Sequence, residues 1–366
     1  INDFVGIPSM LRQLSSYAFM LTAIAGLSAC GGQSGDAAKP ADNASASTAN
    51  TPAKDGDVTI MNVSYDVMRD FYKEYNPLFE KEYAAKHGGE KVTIEQSHGG
   101  SSKQALAVAN GLKADVVTMN QSSDVELLEK KGLIQAGWAA KLPDNAVPFT
   151  STTVFLVRKG NPKGIHDWND LIKDGTQVII AHPKTTGNGR YSFLAAYGQA
   201  LKANNGDEAK AKAYVQAFLK NVPIMDNGGR AATTTFVQRG MGDALITFEN
   251  EANLASREFG KDQFEIIYPK YSIKAENPVA VVDKVVEGKG TGAVAKEYLD
   301  YLWSKPAQEL AASLYLRPSN PEILAANKDK FPEMETFRAN DVFGTWDDIM
   351  KKFFKDGGVF DEVNKK

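Results

Sequence analysis

Three short turns rich in glycine, serine and threonine are the part of the sequence best suited to chemistry. Each turn follows an apolar or β-branched run and precedes a segment with helical periodicity, in residues 97–113, 183–192 and 226–240. Backbone N–H groups in the first turn of a helix have no partner within the helix and lie at the positive end of its dipole. One such turn is typical of an ordinary helix cap. Three of them predict a site that holds an anion.

The same stretches hold few groups that could transform a bound anion. A P-loop has Lys followed by Ser or Thr after its last glycine, and residues 187–192 lack that pair. The sequence contains no HExxH or GxSxG motif, and its four histidines have no metal-ligand spacing. We therefore expect a binding protein with no metal and no cofactor. A phosphoryl- or sulfuryl-transfer enzyme built on the same turns is the alternative.

The segments that must position these turns alternate between strand and helix along residues 57–366. Short apolar runs predict strands, and amphipathic segments between them predict helices. This alternation predicts an α/β fold with largely parallel sheets. Residues 279–286 (VAVVDKVV) are predicted as a single strand. The length of this body is enough for two domains of ordinary size.

The charge of the chain limits the class of partner. Hydrophobic residues make up 43% and charged residues 24%, with a net charge of −3. Because a phosphate backbone requires a basic surface, we do not expect a nucleic-acid partner. An anionic ligand would have to be attracted by local dipoles and not by the field of the whole protein.

The beginning of the chain has the pattern of an exported protein. Residues 10–30 combine a charged start, a short apolar run and small residues at the end, which predicts a signal peptide. The chain has one cysteine, Cys30, and the segment LSAC around it resembles the lipobox of bacterial lipoproteins. A plain secretory signal with a chance cysteine is the alternative. Residues 31–56 contain no bulky apolar residue and predict a disordered tether. We expect a periplasmic protein that is lipid-anchored through Cys30.

Motifs throughout the body resemble those of the periplasmic sulfate-binding proteins, the receptors of sulfate ABC importers. The motifs are NVSYD, QSHGGSSKQA, FLVRKGNPKGIHDWNDL, PKTTGNGR, NGGRAATTTF, FENEA and VVDKVV. The resemblance implies a two-lobed periplasmic binding protein of type II, with the ligand in the cleft between lobes. We expect lobe 1 to contain residues 57–150 and 250–366, lobe 2 to contain residues 151–249, and the protein to be a monomer.

The resemblance also implies which residues hold the anion. The positions that carry over by motif are Asp66, Ser101, Thr186, Gly187, Asn188, Gly229 and Phe248. Thr186 would donate through its hydroxyl. Backbone N–H groups would be donated by Asp66, Ser101, Gly187, Asn188 and Gly229. The family usually has tryptophan at the position of Phe248, and its indole N–H donates to sulfate. That donor is absent here.

Two related classes of receptor stay open. Several of the motifs fit the sister family of thiosulfate-binding proteins equally well, so a thiosulfate-preferring receptor is an alternative. Tyr65, Asp66 and His98 could also suit a ferric-ion receptor, but the adjacent tyrosine pair of that class is missing near the third turn. Arg190 and Arg230 closely follow two of the turns, and we expect them to pair with carboxylates at the rim of the cleft.

Overall fold

The structure is a computed structural model that describes residues 57–260 and 262–365. The predicted signal peptide with Cys30 and the predicted tether lie outside the described residues. The strands are β1 Val58–Tyr65, β2 Val92–Gly99, β3 Val116–Thr118, β4 Phe149–Arg158, β5 Val178–Ala181, β6 Ile224–Asp226, β7 Ala244–Phe248, β8 Phe264–Ile267, β9 Tyr271–Glu276, β10 Val279–Val281, β11 Arg317–Pro318 and β12 Glu335–Arg338.

Helices connect most of these strands. They are α1 Arg69–Lys86, α2 Ser101–Ala109, α3 Ser122–Lys130, α4 Pro143–Ala146, α5 Gly187–Ala203, α6 Glu208–Lys220, α7 Gly229–Val237, α8 Glu249–Phe259, α9 Asp283–Lys289, α10 Gly292–Asp300, α11 Lys305–Ser313, α12 Pro321–Ala326, α13 Ala339–Phe343, α14 Trp346–Ile349 and α15 Val359–Val363. None of the helices in the described part of the chain is both long and apolar enough to span a bilayer.

The first sheet has the strand order β10-β3-β1-β2. β1 pairs in parallel with both β2 and β3, and β10 joins β3 in the antiparallel direction. Aromatic residues of α1 pack on this lobe: the rings of Tyr75 and Phe79 lie 5.2 and 5.1 Å from the ring of Tyr298. Such buried aromatic pairs stabilise the helix against its neighbours.

The second sheet has the order β12-β9-β4-β7-β5-β6, and β8 and β11 also pair with β4. β5 is parallel to β6 and β7, whereas β4 is antiparallel to β7, β8, β9 and β11. The sheet is therefore mixed, and the prediction of largely parallel sheets is wrong for this half. The reason is that β4 runs against every strand with which it pairs, whereas β9 is antiparallel to β4 and parallel to β12.

After β10 the chain returns to the second sheet, where β11 pairs with β4 and β12 pairs with β9. The first two crossings between the sheets lie just before β4 and between β9 and β10. Asn277 connects these two crossings, because its Oδ1 accepts from the Tyr65 hydroxyl (2.9 Å) and its Nδ2 donates to the Phe149 carbonyl (3.4 Å). The predicted change of lobe at residue 250 falls at the start of α8. β8 and β9 follow that point and still pair with β4, so the second sheet extends further along the chain than the predicted lobe 2.

The predicted strand over residues 279–286 is wrong in its second half. Only Val279–Val281 forms a strand, and Asp283–Lys289 forms α9. Val282, Val285 and Val286 are buried at a spacing of three and four, which is the helical period. The apolar residues of this segment therefore fit both the period of a strand and the period of a helix, and packing in the folded protein favours the helix.

Candidate anion site

The three predicted turns each open a helix. α2 begins at Ser101 directly after Gly100, α5 begins at Gly187, and α7 begins at Gly229. Each helix follows a strand of a parallel pair, namely β2, β5 and β6. The first residue of each helix is buried. The N–H groups of these first turns have no intrahelical partner and remain for a ligand.

The starts of the three helices lie against one another, although the strands that precede the helices belong to two different sheets. The Arg230 N–H in α7 donates to Asp66 Oδ2 at the end of β1 (3.5 Å), and Arg190 Nη1 in α5 donates to Ser102 Oγ in α2 (2.6 Å). A Cβ added to Gly229 would lie 3.0 Å from Asn188 Nδ2 of α5. The structure thus places the residues predicted as backbone donors in one neighbourhood.

Thr186 caps α5 in this arrangement. Its hydroxyl accepts from the Gly189 N–H (2.9 Å) and donates to the His182 carbonyl (2.9 Å). This is the bonding pattern of an N-cap residue, and it tightens the turn before the helix. Since the hydroxyl has one proton, donation to an anion would require it to leave His182. The predicted contact of the Thr186 hydroxyl with the anion stays a prediction.

The side chain of Asp66 has a structural role. Its Oδ1 accepts from the Val67 N–H (3.1 Å), and its Oδ2 accepts from Arg230 as described above. Burial raises the pKa of Asp66, and the backbone hydrogen bonds and Arg230 oppose that rise. The carboxylate thus binds N–H groups of the protein, and the contact of the Asp66 backbone N–H with an anion stays a prediction.

A hydrogen-bonded network that sequence reasoning missed supports the start of α2. Asp124 is buried, and its two oxygens accept from the hydroxyls of Ser101 (2.6 Å) and Ser102 (2.8 Å). Burial raises the pKa of Asp124, while Arg190 and the hydroxyls lower it. Arg190 also reaches Gln121 Oε1 (3.2 Å) and the Lys184 carbonyl (2.9 Å). The expected pairing of Arg190 with a carboxylate is wrong, since its direct partners are neutral.

Phe248 forms an apolar wall beside the helix starts. It is the last residue of β7, it is 1% exposed, and its ring packs edge-on against Tyr191 with centroids 5.6 Å apart. The preceding residue, Thr247, accepts a hydrogen bond from Asn188 Nδ2 (3.1 Å). The ring itself offers no hydrogen-bond donor at this position.

His98 does not add charge to the site. Its Nδ1 lies 2.7 Å from Ser64 Oγ, and burial lowers the pKa of the imidazole to about 4. The ring is therefore neutral at physiological pH. Within residues 57–260 and 262–365, no group of three or more histidine, cysteine or carboxylate side chains is arranged to hold a metal ion.

Comparisons with known proteins show the family of the chain. Residues 60–313 match the family model of the bacterial extracellular solute-binding protein. A thiosulfate-binding protein of Pseudomonas aeruginosa is 58% identical over 305 residues, which are 83% of this chain and 91% of that protein. The chain belongs to the bacterial extracellular solute-binding proteins.

Two sulfate-binding proteins are also similar to this solute-binding protein. One from Salmonella typhimurium is 51% identical over 310 residues, which are 85% of this chain and 94% of that protein. The solved structure of the sulfate-binding protein SubI from Mycobacterium tuberculosis H37Rv has a TM-score of 0.73 and 31% identity. The match covers 81% of this chain and all of that one. The relatives are thus named as binding proteins for two different sulfur oxyanions.

The enclosed geometry suits capture of an anion. Asn188 and Phe248 of this solute-binding protein are 4% and 1% exposed, and Ser101 is 1% exposed. In such a water-poor site, the dipoles of fixed N–H groups stabilise an anion more strongly than they would in water.

Proposed function

We propose that this protein is an extracytoplasmic receptor that captures sulfate or thiosulfate and delivers it to an ABC importer. One observation carries the proposal: the first turns of α2, α5 and α7 meet in a buried place where both sheets contribute backbone N–H groups. The names of the similar proteins support the choice of ligand class. The proposed ligands are the Thr186 hydroxyl and the backbone N–H groups of Asp66, Ser101, Gly187, Asn188 and Gly229.

A site made of donors selects a fully ionised anion. Sulfate has no proton at neutral pH, so every hydrogen bond can run from the protein to the ligand. Hydrogen phosphate brings a donor that needs an acceptor, and leaving it unpaired costs about 1–3 kcal/mol. We expect phosphate to bind about tenfold more weakly or worse. Calorimetric titration with sulfate, thiosulfate, molybdate and phosphate tests this, and equal affinity for phosphate would contradict it.

Phe248 bears on the choice between sulfate and thiosulfate. A hydrogen bond to a charged group contributes about 1.5–3 kcal/mol, so a lost indole donor weakens sulfate binding by about 10- to 150-fold unless another group replaces it. The terminal sulfur of thiosulfate is larger and a poorer acceptor, so it suffers less beside the phenyl ring. We expect thiosulfate to bind at least as well as sulfate.

Phe248→Trp should shift the preference towards sulfate. The measurement is calorimetric titration of both anions into both proteins, with circular dichroism to confirm that the larger ring is accommodated against Tyr191. A wild-type protein that strongly prefers sulfate, together with an unchanged ratio in the variant, would show that Phe248 does not set selectivity.

The two lobes would close over the anion by movement at the crossings near residues 148–149 and 277–278. We place the first two changes of lobe there, and Asn277 would couple these two crossings. We propose that the receptor acts as a monomer in the periplasm. Its ligand should be returned unchanged, so mass spectrometry that detects a modified anion would favour the transferase alternative.

Lipid anchoring through Cys30 completes the proposal. It rests on the LSAC segment and the tether-like residues 31–56. Cys30→Ser should yield a protein that leaves the detergent phase or keeps its signal peptide. Identical detergent partitioning of the wild type and the variant would contradict the anchor, without affecting the anion site.

A further inference from the structure

Asn120 lies at the meeting point of α2 and α5 with an unsatisfied side chain. The residue follows β3, it is 3% exposed, and its backbone N–H donates to Ser101 Oγ (3.1 Å). Its carboxamide Oδ1 is buried and has no hydrogen-bond partner among the described residues. Buried polar atoms without partners are rare in proteins, and the oxygen and nitrogen of a carboxamide exchange places by a half-turn, so this buried place can equally hold the Nδ2 donor.

The carboxamide lies directly over Gly187, the first residue of α5. A Cβ added to Gly187 would lie 2.0 Å from Asn120 Oδ1 and 2.4 Å from Nδ2. The glycine is therefore required for the side chain to occupy this place. Asn120 thus contacts the starts of two helices, and Ser101 and Gly187 are both proposed anion ligands.

The chemistry of the side chain suits an oxyanion. A carboxamide carries two N–H donors and one acceptor, and a half-turn about its last torsion exchanges the two ends. With Nδ2 turned towards the helix starts, it adds a side-chain donor to a site that lacks the family's indole donor at position 248. Asn188 offers less, because its Nδ2 is already bound to Thr247.

We propose that Asn120 donates a side-chain hydrogen bond to the captured anion and replaces the donor that Phe248 lacks. The inference rests on the proposed function, since it assigns a further ligand at the same site. It adds a second side-chain donor beside the predicted Thr186 hydroxyl. An alternative role for Asn120 is to fill space above Gly187, and the two roles give different results when the side chain is changed.

The experiment compares Asn120→Ala and Asn120→Asp with the wild type by calorimetric titration of sulfate and thiosulfate. Asn120→Ala should weaken the better-bound anion by about 10- to 150-fold, the range for a hydrogen bond to a charged group. Asn120→Asp preserves the shape but puts a carboxylate beside the anion, so it should weaken binding further. The control is Asn364→Ala, because Asn364 Oδ1 also has no partner among the described residues but Asn364 lies after α15 and is not one of the proposed ligands.

Thermal unfolding with and without anion separates the two roles. Asn120→Ala removes a buried side chain and lowers the melting temperature in either role, so the informative quantity is the rise in melting temperature that saturating anion produces. A lost ligand reduces that rise, and an unchanged rise in Asn120→Ala would identify a space-filling residue and overturn the inference. Affinities within threefold of the wild type for either variant would overturn it too. If the wild type binds neither anion, the proposed function itself fails, and this inference fails with it.

Discussion

The two arginines that follow the glycine turns join the two sheets in different ways. Arg190 in α5 is 3% exposed and binds neutral partners, at 2.6 Å from Ser102 Oγ and 3.2 Å from Gln121 Oε1. The side chain of Arg230 in α7 is 40% exposed and lies among carboxylates, 3.5 Å from Asp70 and 3.4 Å from Glu251. The contact of Arg190 with Ser102 and Gln121, which we call the α5 junction, is buried and made of directional hydrogen bonds. The contact of Arg230 with Asp70 and Glu251, the α7 junction, is half-exposed and charged.

The difference shows how a site for an anion can contain arginines without relying on their charge. Asp124 balances the buried Arg190 through the Ser102 hydroxyl, which donates to Asp124 while it accepts from the guanidinium. At the other junction several acids surround Arg230 at distances that are long for a strong ion pair. The pairs with Asp70 and Glu258 are half-exposed, so they contribute about 0–1 kcal/mol each and weaken with salt, whereas Glu251 is buried. We infer that the α5 junction holds the helix starts in a fixed geometry, whereas the α7 junction balances the charge of Arg230 beside the site.

Breaking the buried junction should have the largest effect. Arg190→Met leaves Asp124 with a buried charge that has lost its balance, and removing one partner of a buried pair costs about 3–5 kcal/mol. Because Ser102 separates the two groups, we expect the lower end, about 3 kcal/mol, together with weaker anion binding. Chemical denaturation and calorimetry measure the two effects.

The exposed Arg239 supplies a matched control for this substitution. It lies just after α7 on the surface, and Arg239→Met should change stability by no more than about 0.5 kcal/mol. If Arg190→Met is as stable as Arg239→Met and binds the anion equally well, the buried junction does not hold the site.

The sequence allowed part of this arrangement to be predicted. The helix starts at Ser101, Gly187 and Gly229 are encoded locally, in turn residues that directly precede helical periodicity. The contact of Asn120 with Gly187 could not be predicted, because it joins two elements from different sheets. A weak signal existed, since Asn120 lies just beyond the carboxyl end of β3, where ligands bind in α/β sheets.

The error for Arg190 has the same origin. A cation next to a binding turn is expected to find a carboxylate, and Arg230 does so, with Glu251 and Asp70. For Arg190, the folded chain places the hydroxyl of Ser102 between the cation and Asp124. Which atom stands between two charges depends on tertiary packing that local sequence does not encode.

The charged junction should show an intermediate effect that depends on pH. Burial raises the pKa of Glu251 to about 6, Arg230 opposes the rise, and Asp66 and Asp70 add to it. A raised carboxyl pKa favours the folded state below the unfolded value near 4.5, and this contribution is lost as the pH rises through about 6. Over that window the loss amounts to about 2 kcal/mol.

Glu251→Gln should remove much of this loss and stabilise the protein at pH 7 by up to about 2 kcal/mol, less the lost attraction to Arg230. Denaturation curves at several pH values between 4 and 7 measure the slope of the free energy of unfolding against pH. Asp66 also has a raised pKa, so a smaller slope of the same sign should remain. An unchanged slope in Glu251→Gln would show that Glu251 is not the titrating group.

The smallest effect should come from the ion pair that crosses between the sheets at the charged junction. Asp70 in α1 and Glu258 in α8 both face Arg230, at 3.5 and 3.7 Å, but Glu258 belongs to the same side as the arginine. Asp70→Asn and Glu258→Gln each remove one negative charge near the same guanidinium. The difference in anion affinity between the two variants therefore measures the Asp70–Arg230 contact separately from the general effect of removing a negative charge.

We expect Asp70→Asn to bind the anion about two- to threefold more weakly than Glu258→Gln at low salt, corresponding to about 0.5 kcal/mol for a half-exposed pair. Since the Debye length falls to about 4 Å near 0.5 M salt, the difference should shrink towards zero when sodium chloride is added. Parallel calorimetric titrations at both salt concentrations measure it. A difference that persists at high salt would mean that the Arg230 junction is held by a buried, unscreened contact like that of Arg190, and the contrast between the two junctions would no longer hold.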